Sequence, residues 1–571
     1  MKRRGPLLAA AVRVKSFIQG LLRNRRLRGE YRFQRAGILE GETTMKNQEI
    51  DAAWKYHNGT KHSDQSIRAN RHYLDWQNQP MPFKIYTQLD PIPLPQHLSS
   101  SGMPALQSLA APGAPQAQVA LKSQLLAETL FLSAGITKRR SYPGGEILFR
   151  AAACTGALYH IDLYLVCGDL DSLDAGVYQF SPQDFSLCRL RAGDHRSVLA
   201  EASGDERSIV NAPCVIVSAS TFWRNAWKYQ SRAYRHCYWD NGTILANLLA
   251  AAAARKIPAK LVLGFVDAAV NELLGLDSRR EAPLSLIGLG HASPRRMDLS
   301  PPIIEPATFE TKPLSRTEVD YPAMRAMHEA SSLESAEEVK TWREGAEREE
   351  SGTKAEGKGI KDKGAGSHLI PLQPLRDEEL PRDSIEEVIM RRGSTREFAR
   401  ESITLAQLST MLDRVTRGIE ADFLGPSAPS LNDIYLIVHA VEDLPAGAYV
   451  YRRRERAVEL LKEGDFRRDA GYLGLGQEIP ADASVNVYFL ADLNRALGRF
   501  GNRGYRAAQL EAAIMGGKIY LAAYAQRLGA SGLTFFDDDV TDFFSPDAAG
   551  KSVMFLIAVG KSAKRKDLNV I

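Results

Sequence analysis

The chain has 571 residues, 44% hydrophobic and 25% charged, with a formal net charge of +5. That length exceeds one ordinary core, so two or more domains are expected, and the composition excludes a disordered or fibrous protein. The longest apolar run, 244–254, is broken by Asn247 and is far shorter than the ~20 residues a bilayer-spanning helix needs.

Charge is distributed unevenly. Residues 1–44 hold eleven Lys/Arg against three Glu, which leaves the remainder at about −3. The stretch "RNRRLRGEYRFQR" has a composition that suits nucleic acid or acidic lipid. It reads instead as a disordered extension, or as upstream sequence before a start at Met45, and no nucleic-acid partner is expected. "LLAAAV" is too short for a signal peptide. The five cysteines (154, 167, 188, 214, 237) contain no Cys-x-x-Cys pair. Neither zinc nor a disulfide framework is expected from them, and a reducing cytoplasm is the expected compartment. His57 and His62, five apart in "KYHNGTKH", read as loop or capping residues rather than metal ligands.

In chain order, 99–120 is rich in Ser, Ala, Gly and Pro and reads as a loose region. "LYLVC" (163–167) and "CVIVSAS" (214–220) have the length and β-branched content of buried strands. "TILANLLAAAAARK" (243–256) is apolar almost all round, as a buried helix would be. Residues 336–366 are charged, Gly-rich and nearly free of core residues, and 301–382 is assigned as linker or charged insertion. The strand and helix signals then return as "IYLIV" (434–438), "VNVYFLA" (485–491) and "GGKIYLAAYAQRLG" (516–529).

The return is a repeat. "DLYLVCGDLDSLDAGVYQF" (162–180) lies over "DIYLIVHAVEDLPAGAYVY" (433–451) at an offset of 271, with Asp162, Tyr164, Ala175, Gly176 and Tyr178 matched. At the same offset Arg232, Tyr234 and Arg235 meet Arg503, Tyr505 and Arg506, and each half ends alike, "SLIGLG" against "FLIAVG". Matched blocks in one register indicate a duplicated domain. Short strands between long helices make it α+β, with a first domain at 45–300 and a second at 383–571.

Residues 391–398 read "RRGSTREF". Arg392 and Arg396 flank Ser394 two residues away on each side, just before a helix. Arginine has the wrong sign for a helix N-terminus unless an anion sits there too. Two guanidinium forks around a hydroxyl suit a phosphate; the alternative is a solvated helix cap.

Arg392-x-Ser394-x-Arg396 resembles the FMN-phosphate signature that opens nitroreductase-family domains. "GPSAP" (425–429) resembles the family's Pro-Ser loop beside the flavin, and "GASGLTFFDD" (529–538) the loop along the isoalloxazine ring. "AVGKSAKRK" (558–566) resembles the basic terminal segment of the phosphate site, making Lys564 and Arg565 candidates. "YPGGEILFRAAACTGALYHIDLYLV" and the leader at 56–86 resemble the SagB-type branch, which includes azoline dehydrogenases of peptide natural-product pathways. The resemblance implies an α+β fold of two tandem nitroreductase-like, FMN-dependent domains. Family members work as dimers with flavin in the interface, so the duplication would supply an intramolecular pseudo-dimer.

The resemblance also implies an asymmetry. The stretch 99–122, where the first half would carry its own anchor, contains no arginine. "AWKYQSR" (226–232) resembles the Leu-Lys-Tyr motif of SagB-type dehydrogenases with Trp227 for leucine, whereas the second half has Arg499 and Phe500 in place of Lys228 and Tyr229. Lys228 and Tyr229 are therefore the candidate base and proton relay, the alternative being a lysine lying over an aromatic cluster. Cys154, Thr155 and Gly156 occupy the Pro-Ser loop position in the first half. Ser531 and Gly532 would present backbone N–H groups to the flavin, and Lys260 and Leu261 stand at their positions in the first half. One FMN per chain is expected, with a small-molecule or peptide substrate. The alternatives are an NAD(P)H-dependent nitro or quinone reductase, with NAD(P)H as a transient co-substrate, and a non-catalytic, flavin-free scaffold.

Overall fold

The computed structural model describes residues 46–111, 120–142, 145–291, 302–346, 369–425 and 430–563. In the first half the elements are α1 (Asp51–Gly59), α2 (Asp64–Ala69), β1 (Pro91–Pro93), α3 (Ala105–Ala110), α4 (Ser123–Ala134), β2 (Ile136–Tyr142), β3 (Gly145–Arg150), β4 (Ile161–Cys167), β5 (Gly176–Ser181) and β6 (Ser186–Ala192). It continues through α5 (Arg196–Ala202), α6 (Arg207–Val210), β7 (Cys214–Thr221), α7 (Phe222–Tyr229), α8 (Ala233–Ala254), β8 (Ala259–Val262), α9 (Asp267–Leu274) and β9 (Glu281–Leu289). The second half has α10 (Pro322–Ala330), α11 (Ala336–Glu344), β10 (Leu369–Pro371), α12 (Ile385–Arg391), α13 (Leu405–Val415), β11 (Asn432–Val438), β12 (Gly447–Arg452) and β13 (Ala457–Glu463). It ends with α14 (Arg467–Leu473), α15 (Glu478–Asp482), β14 (Val485–Ala491), α16 (Leu493–Phe500), α17 (Arg503–Ala525), β15 (Gly529–Leu533), α18 (Asp537–Phe544) and β16 (Ser552–Gly560).

Each half builds one seven-stranded antiparallel sheet, in the orders β1-β6-β5-β4-β7-β9-β8 and β10-β13-β12-β11-β14-β16-β15. These are the same topology. Strands β4, β5 and β6 begin and end 271 residues before β11, β12 and β13, so the repeat read from the sequence is a repeat of register. Both inner strands are buried on both faces, which explains their near-continuous apolar sequences.

The two halves meet along α8 and α17. A Cβ on Gly242 would lie 2.5 Å from the Cβ of Ala513, and one on Gly517 would lie 2.6 Å from that of Ala246. Ala513 is the counterpart of Gly242 at the offset of 271, and Gly517 that of Ala246. Each residue therefore touches its own equivalent, as residues on a two-fold axis do in an isologous interface. The helices can approach this closely because those positions carry no side chain.

Two buried charge clusters complete the interface. Arg232 and Arg235, at the start of α8, bond Asp537 of the other half at 2.9 and 2.6 Å. Arg503 and Arg506, at the start of α17, bond Asp267 at 2.6 and 2.7 Å. The leaders cap both clusters in the same way. His57 and Thr60 offer carbonyls to Arg235 and Arg232, while His328 and Ser331 offer theirs to Arg506 and Arg503.

That pairing corrects the domain reading. The repeat extends back to α1 and α10, which start 271 residues apart, and α11 buries Val339 and Trp342. Residues 322–344 are thus part of the second half rather than linker, because a few apolar side chains at helical spacing suffice to dock a charged helix. Similarly α3, inside the expected loose region 99–120, is buried between the halves. Residues 1–44 lie outside the described residues. Among those described, no helix is long and apolar enough to cross a membrane, and no group of three or more His, Cys, Asp or Glu is placed to hold a metal.

Two outcomes follow for stability. Asp267→Asn or Asp537→Asn leaves two buried guanidinium groups without their counter-charge and is expected to cost about 3–5 kcal/mol in urea unfolding. Burial, reinforced by Arg506, pushes His328 down to about 3, and burial with Arg235 pushes His57 down as well. The unfolded chain takes up those protons near pH 6.5 and the folded chain does not, so stability falls as pH drops from 6.5 toward 3. Urea midpoints measured at pH 7.5 and pH 5 are expected to differ less in His328→Asn than in wild type.

Candidate active site

The anchor turn lies between α12 and α13. A capping box at Ser384 starts α12 and Arg392 ends it, placing residues 392–396 in an extended turn whose Thr395 N–H bonds the Ala530 carbonyl of β15. Arg392 is buried and reaches into the first half, where its Nε and Nη2 donate to the carbonyls of Ala151 and Arg150 at 2.9 and 3.1 Å. The sequence makes it a phosphate ligand; two of its donors here tie the halves together. Ser394 Oγ lies 3.4 Å from the hydroxyl of Tyr520. Arg396 is exposed and has no hydrogen bond or ion pair among the described residues.

The first half brings its candidates to the same place. Burial lowers the Lys228 pKa, and the charge of Arg396 from the opposite half lowers it further. Lys228 Nζ sits 5.3 Å from the centre of the Tyr229 ring. Tyr229 is held edge-on to His236, and burial, then Asp240, raises its pKa, keeping the hydroxyl protonated. Gly156 has φ +64°, and a Cβ there would be 2.8 Å from the Tyr229 hydroxyl, so this turn accepts only glycine without displacing the tyrosine. Trp227 donates to the Asp75 carbonyl and meets Trp76 edge-on, in an apolar cluster against which Tyr229 packs. The Leu-to-Trp change therefore falls on the leader side of α7.

Asp240 of α8 holds the Cys154–Gly156 loop. Its carboxylate accepts from Thr155 N and Oγ1 at 2.9 and 2.7 Å, from Cys154 Sγ at 3.1 Å, and contacts His160 Nε2 at 2.9 Å. Burial and this carboxylate push the Cys154 thiol up, so Cys154 acts as a hydrogen-bonded packing residue. In the second half Glu511, the counterpart of Asp240, holds Ser430 and Leu431 in the same manner. Sequence reasoning missed this pair, although an acid at one repeat position in two Ala-rich buried helices was a visible signal.

Ser531 is buried and its Oγ has no partner. The Gly532 N–H donates to the Tyr520 hydroxyl. It was expected to face a ring directly, but Tyr520 rises from α17 beneath the strand and takes that donor. Lys564 and Arg565 lie outside the described residues; Ala563 bonds the carbonyl of Glu397, one residue from Arg396.

The pseudo-symmetric mate of this site is closed. Leu261, which the sheet register makes the counterpart of Ser531, with Val262 that of Gly532, has its N–H and carbonyl bonded by Glu420 and Asp422 of the second half. The Asp422 carboxylate accepts from Leu263 N and Gly264 N at 2.8 Å each. Trp342 fills the space left, packed on Phe500 with ring centres 5.3 Å apart and seated against Gly264. Arg499, the counterpart of Lys228, donates to the carbonyls of Gly345 and Ala346. In the open site the corresponding leader position is Arg71, which is exposed, and Thr534 stands on the turn where the mate has Gly264.

The cations of the open site suit a dianionic phosphate. Lys138, Arg392 and Arg396 form no ion pair with a carboxylate among the described residues, and after burial the Arg392 charge lowers the pKa of Lys138. An anion bound among them would relieve that repulsion. The unpaired Ser531 hydroxyl adds a donor. Gly156→Ala is expected to destabilise the chain by about 1–3 kcal/mol through strain at positive φ and to displace Tyr229, readable as a change in its fluorescence or NMR signal.

The sequence profile of the Nitroreductase family matches residues 130–291 and 389–561. A provisionally assigned nitroreductase of Anabaena variabilis ATCC 29413, known from a crystal structure, superposes with a TM-score of 0.69 at 25% identity, covering 90% of this chain and 99% of its own. A provisionally assigned nitroreductase of Methanocaldococcus jannaschii is 26% identical over 165 residues, 29% of this chain and 78% of the relative. An FMN-dependent nitroreductase of Clostridium difficile R20291 covers 31% of this chain and 86% of its own at 15% identity, with a TM-score of 0.21.

Proposed function

The chain belongs to the nitroreductase family, and we propose that it is an FMN-dependent oxidoreductase with one composite site per chain, of the SagB dehydrogenase type. The observation that carries this reading is that the second half's arginine–serine turn is fastened to the first half through Arg392, with Lys228 near enough to feel the Arg396 charge, while the mate site is sealed by Trp342 and residues 420–422. FMN, when bound, would supply the two-electron partner for hydride transfer. Arg396 and Ser394 would hold its phosphate, with Arg392 fixing the turn against the first half.

The remaining chemistry belongs to this chain. Lys228, partly buried, is more readily deprotonated than an ordinary lysine, so its Nζ can accept the proton released as a substrate C–H bond is oxidised. Tyr229 stays protonated and donates from its hydroxyl to a substrate heteroatom. Gly156 and the Asp240-held loop fix that hydroxyl in place. The leader residues Arg71, His72 and Tyr73 are exposed along the α7 side of the site, where His72 Nε2 contacts the Trp227 carbonyl at 2.9 Å. A small molecule or an extended peptide could approach there.

Flavin quantitation tests the reading. Wild type and Trp342→Ala are both expected to carry about one FMN per chain, because the mate lacks arginine anchors; two per chain in either protein would sink the single-site proposal. Arg396→Ala is expected to weaken FMN binding by about 10- to 100-fold, the worth of one charge-assisted contact. Lys228→Ala should keep its flavin and its reduction by dithionite. Its loss of substrate oxidation, with the wild-type rate rising with pH below the usual lysine range, would mark Lys228 as the base. Reduction of nitroaromatics at an unchanged rate in Lys228→Ala would favour the NAD(P)H-dependent reductase instead.

A further inference from the structure

The first half has a two-stranded hairpin, β2–β3, with no counterpart among the described residues of the second. Between α4 and β4 lie residues 135–160; between α13 and β11 lie only 416–431, ten fewer. The repeat is otherwise so regular that this insertion stands out as an addition to one copy. Its strands pair from Ile136↔Arg150 to Tyr142↔Gly145, with an irregularity between Ile136 and Lys138. From the residues beside that irregularity Lys138 reaches across the interface, away from the half that carries it.

Lys138 Nζ lies 3.0 and 2.9 Å from the carbonyls of Arg391 and Arg392, at the end of α12. It is also 4.0 Å from where a Cβ on Gly393 would sit, one residue before Ser394. The ammonium thus stands at the anchor turn of the other half with one of its three protons uncommitted, and no carboxylate pairs with it among the described residues. Its charged neighbour there is the Arg392 guanidinium; Tyr524 and Tyr520 are the other polar side chains at the turn. Two adjacent cations without a counter-ion at the head of a serine-arginine turn make an incomplete anion site. In the mate the described residues of the shorter connection hold no hairpin, and the cation there, Arg417, is paired with Asp413.

Resting on the FMN reading above, we propose that Lys138 is a ligand of the bound phosphate monoester, delivered by the first half's hairpin to the second half's anchor. The hairpin then works as a cross-domain clamp on the phosphate, and one phosphate is gripped by both halves. Lys138 thereby adds to the selection of a phosphorylated ligand over its unphosphorylated form.

Fluorescence titration of the apo-protein with FMN and with riboflavin tests this, with inorganic phosphate as competitor. Lys138→Ala and Lys138→Gln are expected to weaken FMN binding about 10-fold or more, leave riboflavin binding unchanged, and reduce competition by phosphate; Lys138→Arg is expected to stay within about 3-fold of wild type. Equal FMN affinity in Lys138→Ala and wild type would overturn the inference. So would an equal loss for FMN and riboflavin, which would make Lys138 a support for the turn alone. A wild type that binds neither flavin would overturn the cofactor reading and this inference with it.

Discussion

The reciprocal arginine–aspartate clamp is the interaction on which the rest of the structure depends. Asp267 and Asp537 each sit in the first turn of a short helix, and each is held by two arginines from the opposite half. Burial alone would raise the Asp267 carboxyl, yet Arg503 and Arg506 together hold it down to about 2. Such clusters are expensive to desolvate and yield little net stability over an apolar replacement. What they provide is geometry, because a buried carboxylate tolerates only the arrangement in which both guanidinium groups reach it. They set how α8 crosses α17, and that crossing decides which loops of one half face which turns of the other.

The leaders belong to the same device. His57 and Thr60 in one copy, His328 and Ser331 in the other, place carbonyl oxygens on the remaining guanidinium donors. After this common point the two leaders diverge. The second continues as a longer helix and buries Trp342 against Phe500, whereas the first turns outward, with its exposed residues lying beside Lys228. Duplication thus produced two clefts, and the chain uses its own leader to close one of them.

A single open cleft built from two halves has a chemical advantage. In the proposed site the Arg392–Arg396 turn comes from the second half, while Lys228, Tyr229 and the Lys138 hairpin come from the first. Burial and, across the halves, the charge of Arg396 both weaken the hold of Lys228 on its proton. The mate shows the contrast. There Arg499 is quenched by backbone carbonyls, and the strand edge at Leu261 is consumed by pairing with residues 420–422.

The amino-acid sequence by itself determined the duplication, the α+β class, the resemblance to flavin-binding domains and the unequal distribution of Arg392–Arg396 and Lys228–Tyr229 between the halves. These are properties of residue type and spacing, which survive without coordinates. Several features depended on contacts between residues hundreds of positions apart. Arg392 became a tie between halves because two carbonyls happened to lie within reach, and the Gly532 N–H was taken by a tyrosine rising from α17. Residues 322–344 looked like linker because their charge dominates the composition, while the few side chains that dock them, Met327, Val339 and Trp342, carry no local signal of their partner. The plugged mate and the hairpin lysine at the anchor were equally invisible. Only the tertiary structure decided them, since which backbone groups remain unpaired is settled by packing and not by sequence order.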